Sequence, residues 1–247
     1  MIYAIIPARY QSTRFPGKPL TMIDGKPMIQ RVYEQASKAR LIDEVLIATD
    51  SEKIKEAVLT FGGKVVMTSE KHNSGTDRLA EVVLNNNDID IAVNVQGDEP
   101  VIPPECIDDA LRPFIDNPDI KMGTLIRKCN DQQDLNNPNI VKVVIDKEFN
   151  ALYFSRSCIP YIRNNAESVH YLHIGLYVYR RETLLALSNL PQSDIEKTEG
   201  LEQLRALYNN IRIKTVLTDY SPIGVDIPED VEKVEQYIKK SRSLFGG

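Results

Sequence analysis

The chain has 247 residues, 42% of them hydrophobic, and carries 30 Lys and Arg against 35 Asp and Glu for a formal charge of −5. That length and apolar content bury a full core, and the slightly acidic balance supplies no field to gather nucleic acid or an anionic membrane, so local basic clusters read as sites. Three cysteines, Cys106, Cys129 and Cys158, lack metal-ligand spacing and point to reduced thiols in a cytoplasmic protein. No run approaches the ~18 apolar residues of a membrane span, and neither secretion nor anchoring is expected.

In chain order, YAIIP (3–7), EVLIAT (44–49), KVVMT (64–68) and IAVNV (91–95) are short, rich in β-branched residues and apolar on both faces, which predicts buried parallel strands. Between the first two, Met28, Ile29, Val32, Tyr33 and Ala36 share a helical face behind Pro27, which suits the first helical position. Residues 51–61 and 77–85 have similar periodicity. The pattern predicts an α/β fold with a doubly wound, mostly parallel sheet, whose ligands sit at the carboxyl ends of the strands. VKVVID (141–146), ALYFS (151–155) and HYLHIGLYVYR (170–180) predict longer, partly alternating strands in a smaller mixed or antiparallel extension. Helices follow at about 181–189 and 196–208, then a strand at IRIKTVL and a last helix after Pro228. NNPN and RNNAES read as loops; neither is long enough for a domain linker, so residues 1–247 read as a single domain with an insertion or flap.

The segment IIPARYQSTRFPGKPL (5–20) follows the first strand and holds Arg9, Arg14 and Lys18. A loop there, ahead of a helix, is where an anion binds in this architecture. It matches neither the dinucleotide nor the Walker glycine pattern, so side chains supply the charge, and two guanidiniums with an ammonium suit a triphosphate. The alternative is a solvated basic loop. In NVQGDEP (94–100), Gly97 permits a tight turn that sets Asp98 at the same rim; Asp98 is a candidate magnesium ligand or a plain turn residue. Asp226, in GVDIPEDVEKV, reads by spacing as the residue leading into a Pro-started helix rather than as a ligand. Ser74, Thr76 and Asp77 are candidate caps for the next helix, whereas Arg78 lies in its first turn, where a cation opposes the dipole and calls for an anionic partner.

Together, IIPARYQSTRFPGKPL, MTSEKHNSGTDRLAEV, NVQGDEP, NPNIVKVV, ALYFSRSCIPYIR, HIGLYVYR, LEQLRAL and GVDIPEDVEKV closely resemble, in order, the 3-deoxy-manno-octulosonate (Kdo) cytidylyltransferases, or CMP-Kdo synthetases. The resemblance spans nearly the whole chain. It implies a nucleotide-diphospho-sugar transferase-like fold and the reaction of CTP with Kdo, in the presence of Mg²⁺, to give CMP-Kdo and pyrophosphate for lipopolysaccharide or capsule. It places Arg9, Arg14 and Lys18 in the triphosphate loop. Ala8 and the Ser74–Gly75 segment fall against cytosine and ribose, and Asp98 and Asp226 on the metal. The sugar is assigned to Arg78, Gln96, Arg156, His173, Glu202 and Gln203, of which Arg78 and Gln96 also border the nucleotide. By spacing alone Arg156 and His173 read as surface-strand residues, His173 more often as a satisfied half-buried imidazole than as a ligand, and Glu202 and Gln203 as the exposed face of a helix whose Leu201, Leu204 and Leu207 face the core.

The resemblance further implies a nucleotide-binding half at about 1–120, a sugar-binding and dimerising half at about 121–225, a C-terminal helix at about 228–243, and a homodimer with no nucleic acid or membrane partner. Phe15 stands where Leu is usual and Ile227 where Thr is common, and the stretch between Arg163 and His173 is short, which bears on the sugar pocket's lid or a subunit contact. Other acceptors, 8-amino-Kdo or sialic acid, remain open, as does a non-catalytic nucleotide- or sugar-binding protein.

Overall fold

The structure is a computed structural model that describes residues 1–11, 15–72, 74–163 and 169–245. Arg14 and residues 164–168 lie outside the described residues. The chain forms two compact units, Met1–Asp108 with Pro222–Gly247, and Asp109–Ser221.

The first unit opens on β1 (Ile2–Ala8), a 3₁₀ turn at Lys18–Leu20, and a small hairpin of β2 (Met22–Ile23) and β3 (Lys26–Pro27). Then come α1 (Met28–Ala36), β4 (Glu44–Thr49), α2 (Glu52–Thr60), β5 (Val65–Met67), α3 (Gly75–Asn85) and β6 (Ile91–Asn94). The expected β/α alternation is present. Pro27 precedes α1 as its N-cap in an extended conformation, with ψ of 143°, so the helix starts one residue later than the pattern suggests. β1 pairs in parallel with β4 on one side and β6 on the other, and β4 pairs in parallel with β5. Burial on both faces explains the apolar runs of β1, β4 and β6, where Ala4, Ile5, Ile6, Ile47, Ala48, Ala92 and Val93 are all inaccessible to solvent, whereas β5, expected to be buried, is half-buried throughout because it lies at the edge of the sheet.

The strand order β6-β1-β4-β5 fixes where a ligand fits. From β1 the chain winds outward through β4 and β5, then returns to the opposite side of β1 as β6. Connections leaving β1 and β6 therefore diverge, and a crevice opens between their carboxyl ends, the switch point at which α/β sheets bind ligands.

α4 (Pro104–Asp116) carries the chain from the first unit into the second. There follow β7 (Met122–Cys129), α5 (Gln132–Asn136), β8 (Lys142–Ile145), β9 (Ala151–Ser155), β10 (His170–Arg180), α6 (Arg181–Ser188), α7 (Asp194–Glu199), α8 (Gln203–Tyr208) and β11 (Ile213–Leu217). β10 runs antiparallel to β7 and β8, β8 antiparallel to β9, and β11 parallel to β7, which is the expected mixed extension. Sequence patterning misses β7, whose first five residues are buried without alternation. The helix expected at 196–208 is two: Gly200, at φ 63°, ends α7 with a left-handed cap and α8 starts afresh behind Glu202.

α9 (Asp230–Phe245) returns to the first unit. Its Val234 and Ile238 join Ile23, Met28, Val101 and Val225 in one apolar cluster, with Phe15 and Val231 packed against it. The half-buried Phe15 thus packs against the same cluster that contains Val225, one residue before Asp226. Among the described residues no helix is long and apolar enough to cross a membrane.

Candidate active site

The crevice at the end of β1 is organised around Lys18. Gly17 N–H donates to the Tyr10 carbonyl at 2.9 Å, which closes the basic loop and launches the 3₁₀ turn from a left-handed φ of 72°. The turn holds the Lys18 stem so that only 18% of its side chain is exposed. Its ammonium donates to Asp98 Oδ2 at 2.8 Å and to the Val225 carbonyl at 2.9 Å, and lies 3.7 Å from Asp226 Oδ1.

Two carboxylates far apart in sequence converge on one cation because their backbones are tied together. Val225 N–H donates to the Asp98 carbonyl at 3.0 Å, stitching the segment before α9 to the turn after β6. That turn is closed by Glu99 N–H on the Gln96 carbonyl at 3.3 Å, and Gln96 is half-buried within it. Gly97 approaches β1 so closely that a Cβ would stand 3.0 Å from the Pro7 carbonyl oxygen, so a side chain there would push the turn away from the strand. The helix-leading role that spacing suggests for Asp226 belongs instead to Asp230, whose carboxylate accepts from Asp226 N–H at 3.0 Å and Ile227 N–H at 3.2 Å. Its hydrogen bond from Lys233, with those backbone donors, lowers the Asp230 pKa. The Asp226 carboxylate, not used in that cap, lies beside Lys18.

Ala8, 3% exposed, ends β1 opposite Thr49. Arg9 Nη2 donates to the His72 carbonyl at 2.6 Å, tying the basic loop to the segment that leads into α3. The His72 imidazole is itself held by the Glu81 carboxylate, which also accepts from Ser69 N–H at 2.9 Å. Ser74 caps α3 through a reciprocal box: its hydroxyl accepts from Asp77 N–H and Asp77 Oδ2 accepts from Ser74 N–H, both at 3.1 Å. Gly75 opens the helix 3.3 Å, as a Cβ, from the Pro7 ring. A cleft of about 810 Å³ beside this loop is lined by Arg9, Tyr10, Asp50 and Lys53.

Arg78 is inaccessible to solvent. The anion that its helix position calls for is Asp50, whose Oδ2 accepts from Nη2 at 2.5 Å, while Thr68 Oγ1 accepts from Nη1. Its buried Nε–H has no hydrogen-bond partner among the described residues.

In the second unit, His173 lies on β10 where that strand advances three residues, Ile174 to Tyr177, while β7 advances one. Thr124 of β7 locks this bulge, with its hydroxyl 3.0 Å from the Ile174 carbonyl, 2.8 Å from the Leu176 carbonyl and 3.0 Å from His173 Nε2. The single hydroxyl proton goes to a carbonyl, so the hydroxyl accepts from Nε2–H and the neutral ring presents Nδ1 as an acceptor. Phe154 meets the ring edge-on at 5.1 Å and Tyr177 lies at 5.3 Å. Burial by these neighbours pushes the His173 pKa down to about 3. Burial likewise raises the Tyr177 hydroxyl well above its usual value, with the Tyr179 hydroxyl and the Glu202 carboxylate adding to the shift.

Glu202 is half-buried at the start of α8 and Gln203 is 6% exposed, because the break at Gly200 turns both away from the solvent face that a continuous helix would give them. Arg156 is anchored at the same junction: Nε donates to the Glu199 carbonyl at 2.8 Å, Nη2 to the Gly200 carbonyl at 3.3 Å and Nη1 to the Pro138 carbonyl at 2.9 Å.

A family model described as Cytidylyltransferase matches residues 3–213. The chain belongs to the cytidylyltransferase family. Among relatives, the 3-deoxy-manno-octulosonate cytidylyltransferase of Geobacter metallireducens is 50% identical over 250 residues, covering 97% of this chain and 98% of the relative. That of Geotalea uraniireducens is 51% identical, covering 97% and 99%. The structure of CMP:2-keto-3-deoxy-manno-octonic acid synthetase complexed with CTP superposes with a TM-score of 0.93 at 44% identity, over 97% of this chain and 99% of that one. The 4-diphosphocytidyl-2C-methyl-D-erythritol synthase of Anaerococcus prevotii, at 15% identity and a TM-score of 0.65, shares the fold alone.

In this family member the donors at the crevice suit a hard divalent cation. Among the described residues no cluster of three or more His, Cys, Asp or Glu side chains is assembled. Asp98 and Asp226 are nevertheless both within reach of one positive group, and a pair of carboxylates completed by water and substrate phosphates is the usual Mg²⁺ arrangement. Sequence reasoning did not find Asp50, Asp230, Tyr177 or the Val225 carbonyl. Asp50 carries a signal in hindsight, since it follows β4 at the same carboxyl rim; a backbone carbonyl carries none.

The neutral imidazole has a consequence for stability. His173 takes up a proton near pH 6.5 when unfolded and near 3 when folded, so the unfolded state binds more protons between these values and stability falls as pH is lowered through that window. The slope approaches about 1.4 kcal/mol per pH unit from this one group. Urea denaturation at pH 7 and pH 4.5 should show wild type losing more stability than His173→Gln; equal losses would mean that the ring is already charged in the folded protein.

Proposed function

We propose that the protein activates Kdo, transferring CMP from CTP to its anomeric hydroxyl with release of pyrophosphate. The observation that carries this reading is the convergence of Lys18, Asp98 and Asp226 at the crevice between β1 and β6, in a chain about half identical to Kdo cytidylyltransferases over nearly its full length.

The reaction needs positioning and charge neutralisation rather than covalent help from the protein. Ala8 and the Ser74–Gly75 segment, beside the end of β1, border cytosine and ribose through backbone groups, since the Ser74 hydroxyl is engaged in capping. Arg9, Arg14 and Lys18 hold the triphosphate, with Lys18 offsetting charge that grows on the α-phosphate and the leaving pyrophosphate as the sugar hydroxyl attacks in line. Asp98 and Asp226 would hold Mg²⁺, which when bound supplies further neutralisation of the triphosphate. Gln96, in the turn that carries Asp98, serves nucleotide and sugar alike. Arg78 serves from below, fixing Asp50 at the nucleotide cleft.

The first unit holds the nucleotide; the second supplies Arg156, His173, Glu202 and Gln203 to the sugar. Among the described residues the Arg156 side chain makes three carbonyl contacts with its five N–H groups, and a carboxylate suits the remaining pair. His173 Nδ1 accepts from a sugar hydroxyl. The protein works as a cytoplasmic homodimer on the route to lipopolysaccharide or capsule.

The test is pyrophosphate release from CTP and Mg²⁺ with Kdo, 8-amino-Kdo and sialic acid in parallel. Kdo should give the highest kcat/KM. Release with none of the three would leave a nucleotide- or sugar-binding protein, and preference for another sugar would reassign the acceptor.

A further inference from the structure

Lys142 is a cation in the interior of the second unit that no step above uses. It belongs to β8, opposite Ser155 of β9 and Leu172 of β10, and has no solvent-accessible surface. Its ammonium donates to the carbonyls of Asn137 at 3.0 Å, Ile140 at 2.7 Å and Arg156 at 2.5 Å. An ammonium has three protons, and three carbonyls use all of them. A buried lysine that loses its solvation is costly unless so surrounded, and burial accordingly lowers its pKa.

What these carbonyls share is Arg156. The Asn137–Ile140 turn contains Pro138, whose carbonyl accepts from Arg156 Nη1. The Arg156 backbone is gripped from both sides, its carbonyl by Lys142 and its N–H by Glu199 Oε2 at 2.9 Å. Ser155 completes the grip by donating to Glu199 Oε1 at 2.7 Å. Lys142 thus sets both the origin of the Arg156 side chain and the turn on which one of its nitrogens rests.

We propose that Lys142 is a positioning residue for acid-sugar binding, orienting Arg156 through the Arg156 carbonyl and the 137–140 turn without touching substrate. This rests on the assignment of Arg156 to the sugar. It predicts an effect confined to one of two substrates. A graded pair of variants tests it: Gln retains two N–H donors and Met, of similar length, retains none. KM for Kdo should rise about threefold in Lys142→Gln and at least tenfold in Lys142→Met, with KM for CTP within twofold of wild type in both.

A folded variant, by circular dichroism melt, that binds both substrates normally or weakens both alike would overturn the proposal. Failure of both variants to fold would also overturn it, because the ammonium would then be holding up the unit rather than the sugar site. Failure of the underlying functional reading looks different, since wild type itself would then release no pyrophosphate with Kdo.

Discussion

Asp98→Asn and Asp226→Asn should each lower kcat by about 10³-fold or more, with the folded protein intact, since a metal's share of transition-state stabilisation is several kcal/mol. Asn preserves shape and removes the charge that a cation needs. The fold should survive because two backbone ties of the crevice use neither the Asp98 nor the Asp226 carboxylate. The crevice is stitched by Val225 N–H on the Asp98 carbonyl and by Asp226 N–H on Asp230, and both bonds remain in the variants. Pyrophosphate release and a thermal melt read the two effects separately. Near-full turnover in either variant would take that residue out of the metal site.

Lys18→Met should cost about 10²–10³ in kcat/KM, the usual loss for removing one preorganised donor from a developing oxyanion. Its second effect has the opposite sign. The ammonium sits 2.8 Å from one carboxylate and 3.7 Å from the other, so without nucleotide it competes with a divalent cation for the same oxygens. Removing it should tighten Mn²⁺ binding to the nucleotide-free protein by about tenfold, a modest gain because both carboxylates are partly solvated. Calorimetric titration decides this. Unchanged or weaker Mn²⁺ binding would mean that Lys18 and the metal do not share those oxygens, and undiminished kcat/KM would remove Lys18 from the reaction.

Much of the fold is legible because burial on both faces leaves an unambiguous mark. YAIIP, EVLIAT and IAVNV have no polar side to hide, and they form β1, β4 and β6 within a residue or two. Local chemistry also reads well at α3, where Ser74 and Asp77 make the expected cap. Reading fails where a distant partner decides the outcome. MGTLIRKC shows no alternation because it is covered on both faces over most of its length, which patterning cannot tell from a helix fragment. Glu202 and Gln203 fit the exposed face of one long helix until Gly200 breaks it.

The sequence by itself determined that a basic loop follows the first strand of a parallel α/β sheet, that NVQGDEP ends another strand at the same rim, and that the chain resembles the Kdo cytidylyltransferases. These are local facts about strand ends, turn residues and side-chain charge, and they need no folding to be read. Only the tertiary structure decided which charges meet. Asp226 lies beside Lys18 while the Asp230 carboxylate holds the backbone ahead of α9, and Arg78 finds Asp50 inside the protein. Lys142 is drawn into a cage of carbonyls from three points along the chain. Electrostatic pairing depends on distance in space, and the winding of β1, β6 and the segment before α9 sets that distance far more than separation along the chain does.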